Sequence, residues 1–234
     1  MLLIKFGTLI TAEKTFQADI LVDGEHIIDI NPNLVLSNVE TIDATGKYIL
    51  PGGVDPHTHF DLPMFETVSS DDHYTGHKAA AFGGTTTVID FVPQPEQGAL
   101  RKGIESWHAK ADYKAAVDFG FHMNITRLDD AIADEIPSLL DEGISTLKVF
   151  MAYNGRLRLQ DDEIERVLKI AERNGMLTML HAEDGDEIDT LVANAIETGH
   201  TSTPWHARTR PASGAVDAVA RAVKLAAKTK APLY

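Results

Sequence analysis

Four residues of this 234-residue chain have the types and setting for metal-assisted chemistry: His57, His59, Lys148 and His181. His57 and His59 are separated by one residue and follow Pro51-Gly52-Gly53-Val54-Asp55-Pro56. On an extended strand, side chains at i and i+2 share a face, so both imidazoles can aim at one point. Imidazole is a standard ligand for zinc and related ions. Two unrelated polar residues in a loop would show the same spacing. Lys148 lies among Leu147, Val149 and Phe150, and an unpaired ammonium among apolar groups is costly. It could form a salt bridge to an inward carboxylate such as Glu183 or Asp90. It could instead be a Schiff-base lysine, or an amine of lowered pKa that captures carbon dioxide as a carbamate. The carbamate is an anionic two-oxygen group that could bridge two metals.

The elements needed to position these groups are legible. From Gly52 onward, β-rich runs alternate with helical patterns. Thr85–Phe91, Ala116–Met123, Thr146–Phe150 and Met176–His181 read as strands. Asp72 is a helix N-cap for a segment running to Phe82. Leu100, Ile104, Trp107 and Ala111 repeat at helical spacing. Asp162 and Glu165 suggest a capping box ahead of Ile164, Val167, Leu168 and Ala171, with a stop near Gly175. Ile188, Leu191, Val192 and Ala195 form another stripe, and Val216, Val219, Ala220, Val223 and Ala227 the last; these stripes read as core packing. Pro137 reads as the first position of a short helix, and Thr201–Pro211 as a long loop.

This alternation implies a parallel sheet. The first strand–helix turn lacks a glycine-rich phosphate fingerprint, which favours a TIM barrel over a nucleotide-binding doubly wound fold. Active sites of barrels lie at the C-terminal strand ends, and there stand His57, His59, Asp90, His122, Lys148 and His181. Five strands are counted where a closed barrel takes about eight, so the chain reads as an N-terminal fragment, residues 51–234 being an incomplete barrel. Residues 1–50 read as a β-sandwich-like segment. In it Gly7 ends a first strand, and Asp23-Gly24 turns a hairpin between Ala18–Val22 and Glu25–Ile30.

A net charge of −14 argues against nucleic-acid partners and anionic membranes. The 234 residues contain no cysteine, which excludes disulfides and thiolate metal sites. No signal peptide or membrane-length apolar run is visible, so a cytoplasmic setting is expected.

Four ordered blocks carry a family resemblance. They are Pro51–His59, Ala79-Ala80-Ala81-Phe82-Gly83-Gly84-Thr85-Thr86-Thr87, Leu147–Tyr153 and His181-Ala182-Glu183. The chain resembles the cyclic amidohydrolases, specifically the dihydropyrimidinase and hydantoinase group. The resemblance implies two divalent metals, usually zinc. His57 and His59 would bind one, Lys148 as its carbamate would bridge both, and His181 would bind the second. It also implies that Tyr153 contacts the substrate oxygen, and that the parent is a homotetramer acting on a small cyclic amide. A further histidine and an aspartate that the family uses come later than Tyr234, so the second metal site is expected to be incomplete here. Dihydroorotases place an arginine where this chain has Asp61, and an acid suits an uncharged ring better. Leu62, Met64 and Phe65 follow, on the loop that in hydantoinases contacts the ring substituent; they could equally just pack the loop. The expected reaction is hydrolysis of dihydropyrimidines or hydantoins to N-carbamoyl amino acids. Allantoinase and a non-catalytic scaffold of the same fold are the alternatives.

Overall fold

The hairpin forms one residue later than expected: Asp23 stays in the ladder opposite His26, and Gly24, with φ 57°, begins the two-residue connection. The computed structural model describes residues 1–64 and 67–234. It comprises two units, Met1–Gly53 and Val54–Tyr234, each with its own apolar interior.

The first unit is one five-stranded sheet of β1 (Leu2–Ile10), β2 (Thr15–Asp23), β3 (His26–Asn31), β4 (Glu40–Asp43) and β5 (Tyr48–Ile49), ordered β3-β2-β1-β4 with β5 also on β1. Gly7 does not end β1. It closes a register shift from Ile4, where Phe6 adopts φ 64°. A Cβ on Gly7 would lie 2.3 Å from Ile49 Cδ1, so glycine lets β5 close onto the bulge. Buried Asp19 secures the bulge by accepting from the Phe6 and Leu34 amides, each at 2.9 Å.

The second unit begins with β6 (Gly53–Thr58) and the short strands β7 (Pro63–Met64) and β8 (Thr67–Val68). It continues through α1 (His73–Gly83), β9 (Thr85–Val92), α2 (Leu100–Ala111), β10 (Asp118–Asn124), α3 (Asp130–Glu135) and a 3-10 helix, Ile136–Glu142. Then come β11 (Thr146–Phe150), α4 (Asp161–Arg173), β12 (Leu177–His181), α5 (Gly185–Glu197), α6 (Pro204–Arg208) and α7 (Ala212–Thr229). The main sheet runs β12-β11-β10-β9-β6, and β9 to β12 pair in parallel. This is an α/β fold with about five of the roughly eight strand–helix units of a TIM barrel. After α7 the backbone pairs with β12: Tyr234 N donates to Thr178 O, and Leu180 N to Tyr234 O, both at 2.9 Å.

Local signals account for most helix limits. Asp72 caps α1 by accepting from Thr75 N at 2.7 Å, and the Thr75 hydroxyl in turn accepts from Asp72 N. Pro137 sits in the first turn of the 3-10 helix. The capping box of α4 lies two residues earlier than expected: Glu163 accepts from Gln160 N at 2.7 Å, while Glu165 pairs with Lys169 and Lys228. The Thr201–Pro211 loop contains a short helix, α6, beside which Trp205 stacks on His200 at 4.0 Å.

On α7 the expected stripe is reversed. Val216, Val219 and Val223 are exposed, and the buried face is Gly214, Ala218 and Ala222. Small residues at i, i+4 and i+8 let α7 lie close to its neighbours; a Cβ on Gly214 would meet Glu187 Oε2 at 2.3 Å. Arg221 on the same helix spans Asp161 and Asp184. Close approach and these ion pairs, not the larger side chains, select the buried face. Among the described residues, no helix is long and apolar enough to cross a membrane.

Candidate active site

Strand register sorts the second unit's sheet into two faces. His122 is opposite Phe91, Asn124 and Met179 are opposite Lys148, and His181 is opposite Phe150. Paired residues of a sheet point to the same side, so these side chains share one face. The opposite face carries Asp90, Phe121, Met123, Leu147 and Val149, all buried against the helices.

On the first face, donors gather around Phe91. The His57 and His59 rings lie 5.2 Å apart, nearly perpendicular, at 4.5 and 5.1 Å from the Phe91 ring. Lys148 Nζ is 5.9 Å from the same ring and 5.4 Å from that of Phe150. Burial lowers the pKa of all three donors. For His57 the Lys148 charge adds to this and Asp55 opposes it; for His59, His57 and Lys148 add to it. For Lys148 burial is the sole cause. The site therefore favours neutral imidazoles and a free amine, the forms that bind metal or react with carbon dioxide.

A salt bridge to Lys148 is overturned. Asp90 occupies the other face because it immediately precedes Phe91, and successive side chains of a strand alternate. There its carboxylate accepts from Phe60 N at 2.8 Å, Thr58 Oγ1 at 3.1 Å and Trp107 Nε1 at 3.1 Å. Burial still pushes its pKa up, against those bonds. Glu183 is held at 2.5 Å by His181 Nε2. Neither carboxylate is available to the lysine.

His122 lies on the donor face but works as a clip. Its Nε2 is 2.9 Å from Pro56 O and its Nδ1 contacts the Thr146 hydroxyl, tying the backbone beside His57 to β10 and β11. Among the described residues, no group of three or more His, Asp or Glu side chains is gathered to hold a metal. Among the described residues the donors gathered here are two histidines and a lysine, so a metal at this point could take Lys148 as its third ligand. The donor set fits that requirement, given a neutral amine open to carboxylation.

Beyond β11 the chain turns sharply. Tyr153 adopts φ 67°, and its carbonyl accepts from the Arg156, Leu157 and Arg158 amides at 3.1, 3.0 and 3.3 Å. A non-glycine residue in this conformation costs about 1–3 kcal/mol. The turn carries the Tyr153 ring to 5.3 Å from His181 and 6.0 Å from Phe150. His181 thus has both Tyr153 and Glu183 as neighbours.

The loop after His59 is more structural than its sequence suggests. Asp61, at φ 51°, accepts from His73 N through its carboxylate at 3.3 Å and from Lys110 Nζ through its carbonyl at 2.7 Å. Its carboxylate therefore also serves the start of α1. Leu62 is buried in the apolar core, so it packs the loop; Met64 is exposed. Phe65 lies outside the described residues.

Sequence reasoning missed three features. Phe91 is the surface on which the donors meet. His73 and His77, one helical turn apart on α1, are fully buried, their Nδ1 and Nε2 3.4 Å apart. The third is the cluster Asn154, Arg158 and Asp186, which joins the loop after β11 to the first turn of α5. The His-x3-His spacing could have signalled the buried pair; nothing local signals the other two.

The second unit is thus a parallel strand–helix fold with two histidines and a lysine gathered around one aromatic ring. The amidohydrolase family profile matches residues 48–231, and the chain belongs to that family. It is 46% identical over 233 residues to D-hydantoinase of Geobacillus stearothermophilus, covering 99% of this chain and 50% of the relative. It is 40% identical over 235 residues to dihydropyrimidinase of Arabidopsis thaliana, covering 100% of this chain and 44% of the relative. The crystal structure of dihydropyrimidinase from Brevibacillus agri NCHU1002 superposes with a TM-score of 0.97 at 45% identity, covering 99% of this chain and 50% of that one. The chain spans about half the length of the curated relatives it matches.

Proposed function

We propose that the protein carrying this chain hydrolyses the cyclic amide bond of hydantoins or dihydropyrimidines, giving N-carbamoyl amino acids. The observation that carries this reading is Lys148: half-buried beside His57 and His59, its pKa lowered by burial, with both nearby carboxylates committed elsewhere. Similarity to D-hydantoinase and dihydropyrimidinase across nearly all of the chain supports the substrate class.

In this reading His57, His59 and carboxylated Lys148 hold one divalent metal, and Lys148 with His181 holds a second, zinc being the ion that suits the donor set. When bound, the metals supply an activated water and polarise the scissile carbonyl. The chain's own residues do the rest. Burial keeps His57 and His59 neutral and ready to bind without first losing a proton. The Phe91 ring backs them and keeps water from that side. His181 must release Glu183 or use its other nitrogen. Tyr153, held by its strained turn, points a phenol at the side of the site beyond β11, where it can donate to the oxygen that gains charge as the amide opens. Met64 and Phe65 remain proposed contacts to the ring substituent, whereas Leu62 packs into the core. We further propose a cytoplasmic homotetramer, on the absence of cysteine from the 234 residues and on the family resemblance.

The test is turnover of hydantoin, dihydrouracil and allantoin by the full-length protein, with elemental analysis of metal. Opening of the first two, lost with Lys148→Ala together with bound metal, is the expected result. Selective opening of allantoin would replace the substrate assignment, and full activity of Lys148→Ala would remove the carbamate.

A further inference from the structure

The loop that leaves β11 and the first turn of α5, which follows β12, are locked together by polar contacts no local pattern foretold. Arg158 Nη1 donates to Asn154 Oδ1 at 2.7 Å and to Asp186 Oδ1 at 2.6 Å, and Asn154 Nδ2 donates to the same Asp186 oxygen at 2.9 Å. The Arg158 side chain is only 12% exposed although it ends in an ion pair. Gly185 lets the two segments approach: a Cβ there would lie 2.7 Å from Asn154 Oδ1 and 3.0 Å from Ala152 Cα. The next helix fixes the other side, because Asp184, which caps α5 by accepting from the Asp186 and Glu187 amides, also pairs with Arg221 of α7. The span between Ala152 and Arg158 is the turn in which Tyr153 takes φ 67°.

We infer that the Arg158–Asp186–Asn154 cluster, seated on Gly185, is a clamp that holds the Tyr153 turn in its left-handed form and so positions the tyrosine beside His181. The inference rests on the proposed role of Tyr153. Left to itself, a tyrosine favours the right-handed or extended regions. Its own carbonyl takes three amide contacts, but these lie within the turn, tie it to nothing outside, and break if Tyr153 leaves that region. The clamp is the part that anchors the turn to a different strand end. Arg158 and Asp186 are therefore positioning residues: they touch Asn154 and each other, and act on the site through Tyr153. The Arg158 hydrogen bond also holds the Asp186 carboxyl below its ordinary pKa, so the clamp stays ionised through the neutral range.

The experiment uses the full-length protein with Asp186→Asn, Gly185→Ala and Tyr153→Phe, alone and in pairs. Amide hydrogen exchange at Arg156, Leu157 and Arg158 is read alongside kcat and KM for the best substrate. Asp186→Asn and Gly185→Ala should speed exchange of those amides at least tenfold, and leave exchange in β11 and β12 unchanged. Both should lower kcat about tenfold with KM within a factor of two, and neither should lower it further in a Tyr153→Phe background. Unchanged exchange overturns the clamp. A kcat loss of the same size with and without the Tyr153 hydroxyl overturns its action through that residue. If the wild-type protein opens no cyclic amide, the exchange result still decides whether the clamp exists, so the two failures are distinguishable.

Discussion

Asp90 and Lys148 are both charged residues set among apolar neighbours on adjoining parts of one sheet, and the sheet treats them oppositely. Asp90 is 1% exposed and its carboxylate receives three hydrogen bonds, from Thr58, Phe60 and Trp107. Lys148 is half-buried, and burial alone moves its pKa. A buried polar group with its partners in place stabilises a fold; one left without a partner is a reserve of reactivity. The faces divide accordingly, with the helix side built for stability and the opposite side holding His57, His59, Lys148 and His181 at a cost in stability.

The sharpest way to break this division is Lys148→Ala. It should lower turnover of the full-length protein by at least about 10³-fold, reduce bound metal, and leave the denaturation midpoint unchanged or raised. A large fall in stability would place Lys148 with Asp90 as a structural charge. The converse is Asp90→Ala, which strands three donors in the core. It should cost about 3–5 kcal/mol in urea denaturation, since Trp107, Thr58 and Phe60 all lose their shared acceptor.

Leu147→Ala tests the same strand one residue away. Leu147 is fully buried on the helix side, and the cavity should cost about 3 kcal/mol. Metal content and kcat per folded molecule should stay within about twofold if the faces are independent. A loss of metal equal to that of Lys148→Ala would show that β11 responds as a unit.

The smallest effect belongs to the buried pair on α1. Burial, reinforced by the nearby His77, lowers the His73 pKa from 6.5 to about 4. The unfolded chain therefore takes up this proton first as pH falls. The neutral state's contribution is complete above about pH 6.5 and is lost as pH drops toward 4, amounting to on the order of 2–3 kcal/mol. Urea unfolding at several pH values should show that acid limb flattened in His73→Leu. An unchanged limb would assign acid sensitivity to other groups, such as His57, His59 and His122, whose pKa values are also lowered.

Much of the fold could be read along the chain. The strand at Thr146–Phe150 has the bounds expected, Asp72 caps its helix, and the stripe Ile164, Val167, Leu168 and Ala171 is fully buried. These signals succeed because they are local: a cap needs residues three apart, and an amphipathic stripe needs one helical turn. The stripe on α7 failed for the complementary reason. That helix has valines on one side and small residues on the other, and only the approach of α4 and α5 decides that Gly214, Ala218 and Ala222 go inward. The site divides likewise. His57, His59, Lys148 and His181 stand out by residue type and strand placement, whereas Asn154 and Arg158 in a loop and Asp186 in the first turn of α5 are ordinary polar residues until two strand ends meet.

By itself the sequence determined which residues could do chemistry and that side chains alternate along each strand, because residue type and a period of two are properties of the chain. Only the tertiary structure decided which parity faces the helices. Parity depends on the register between strands distant in sequence, and that register placed Asp90 with Trp107 and left Lys148, among the described residues, with two histidines and no paired acid.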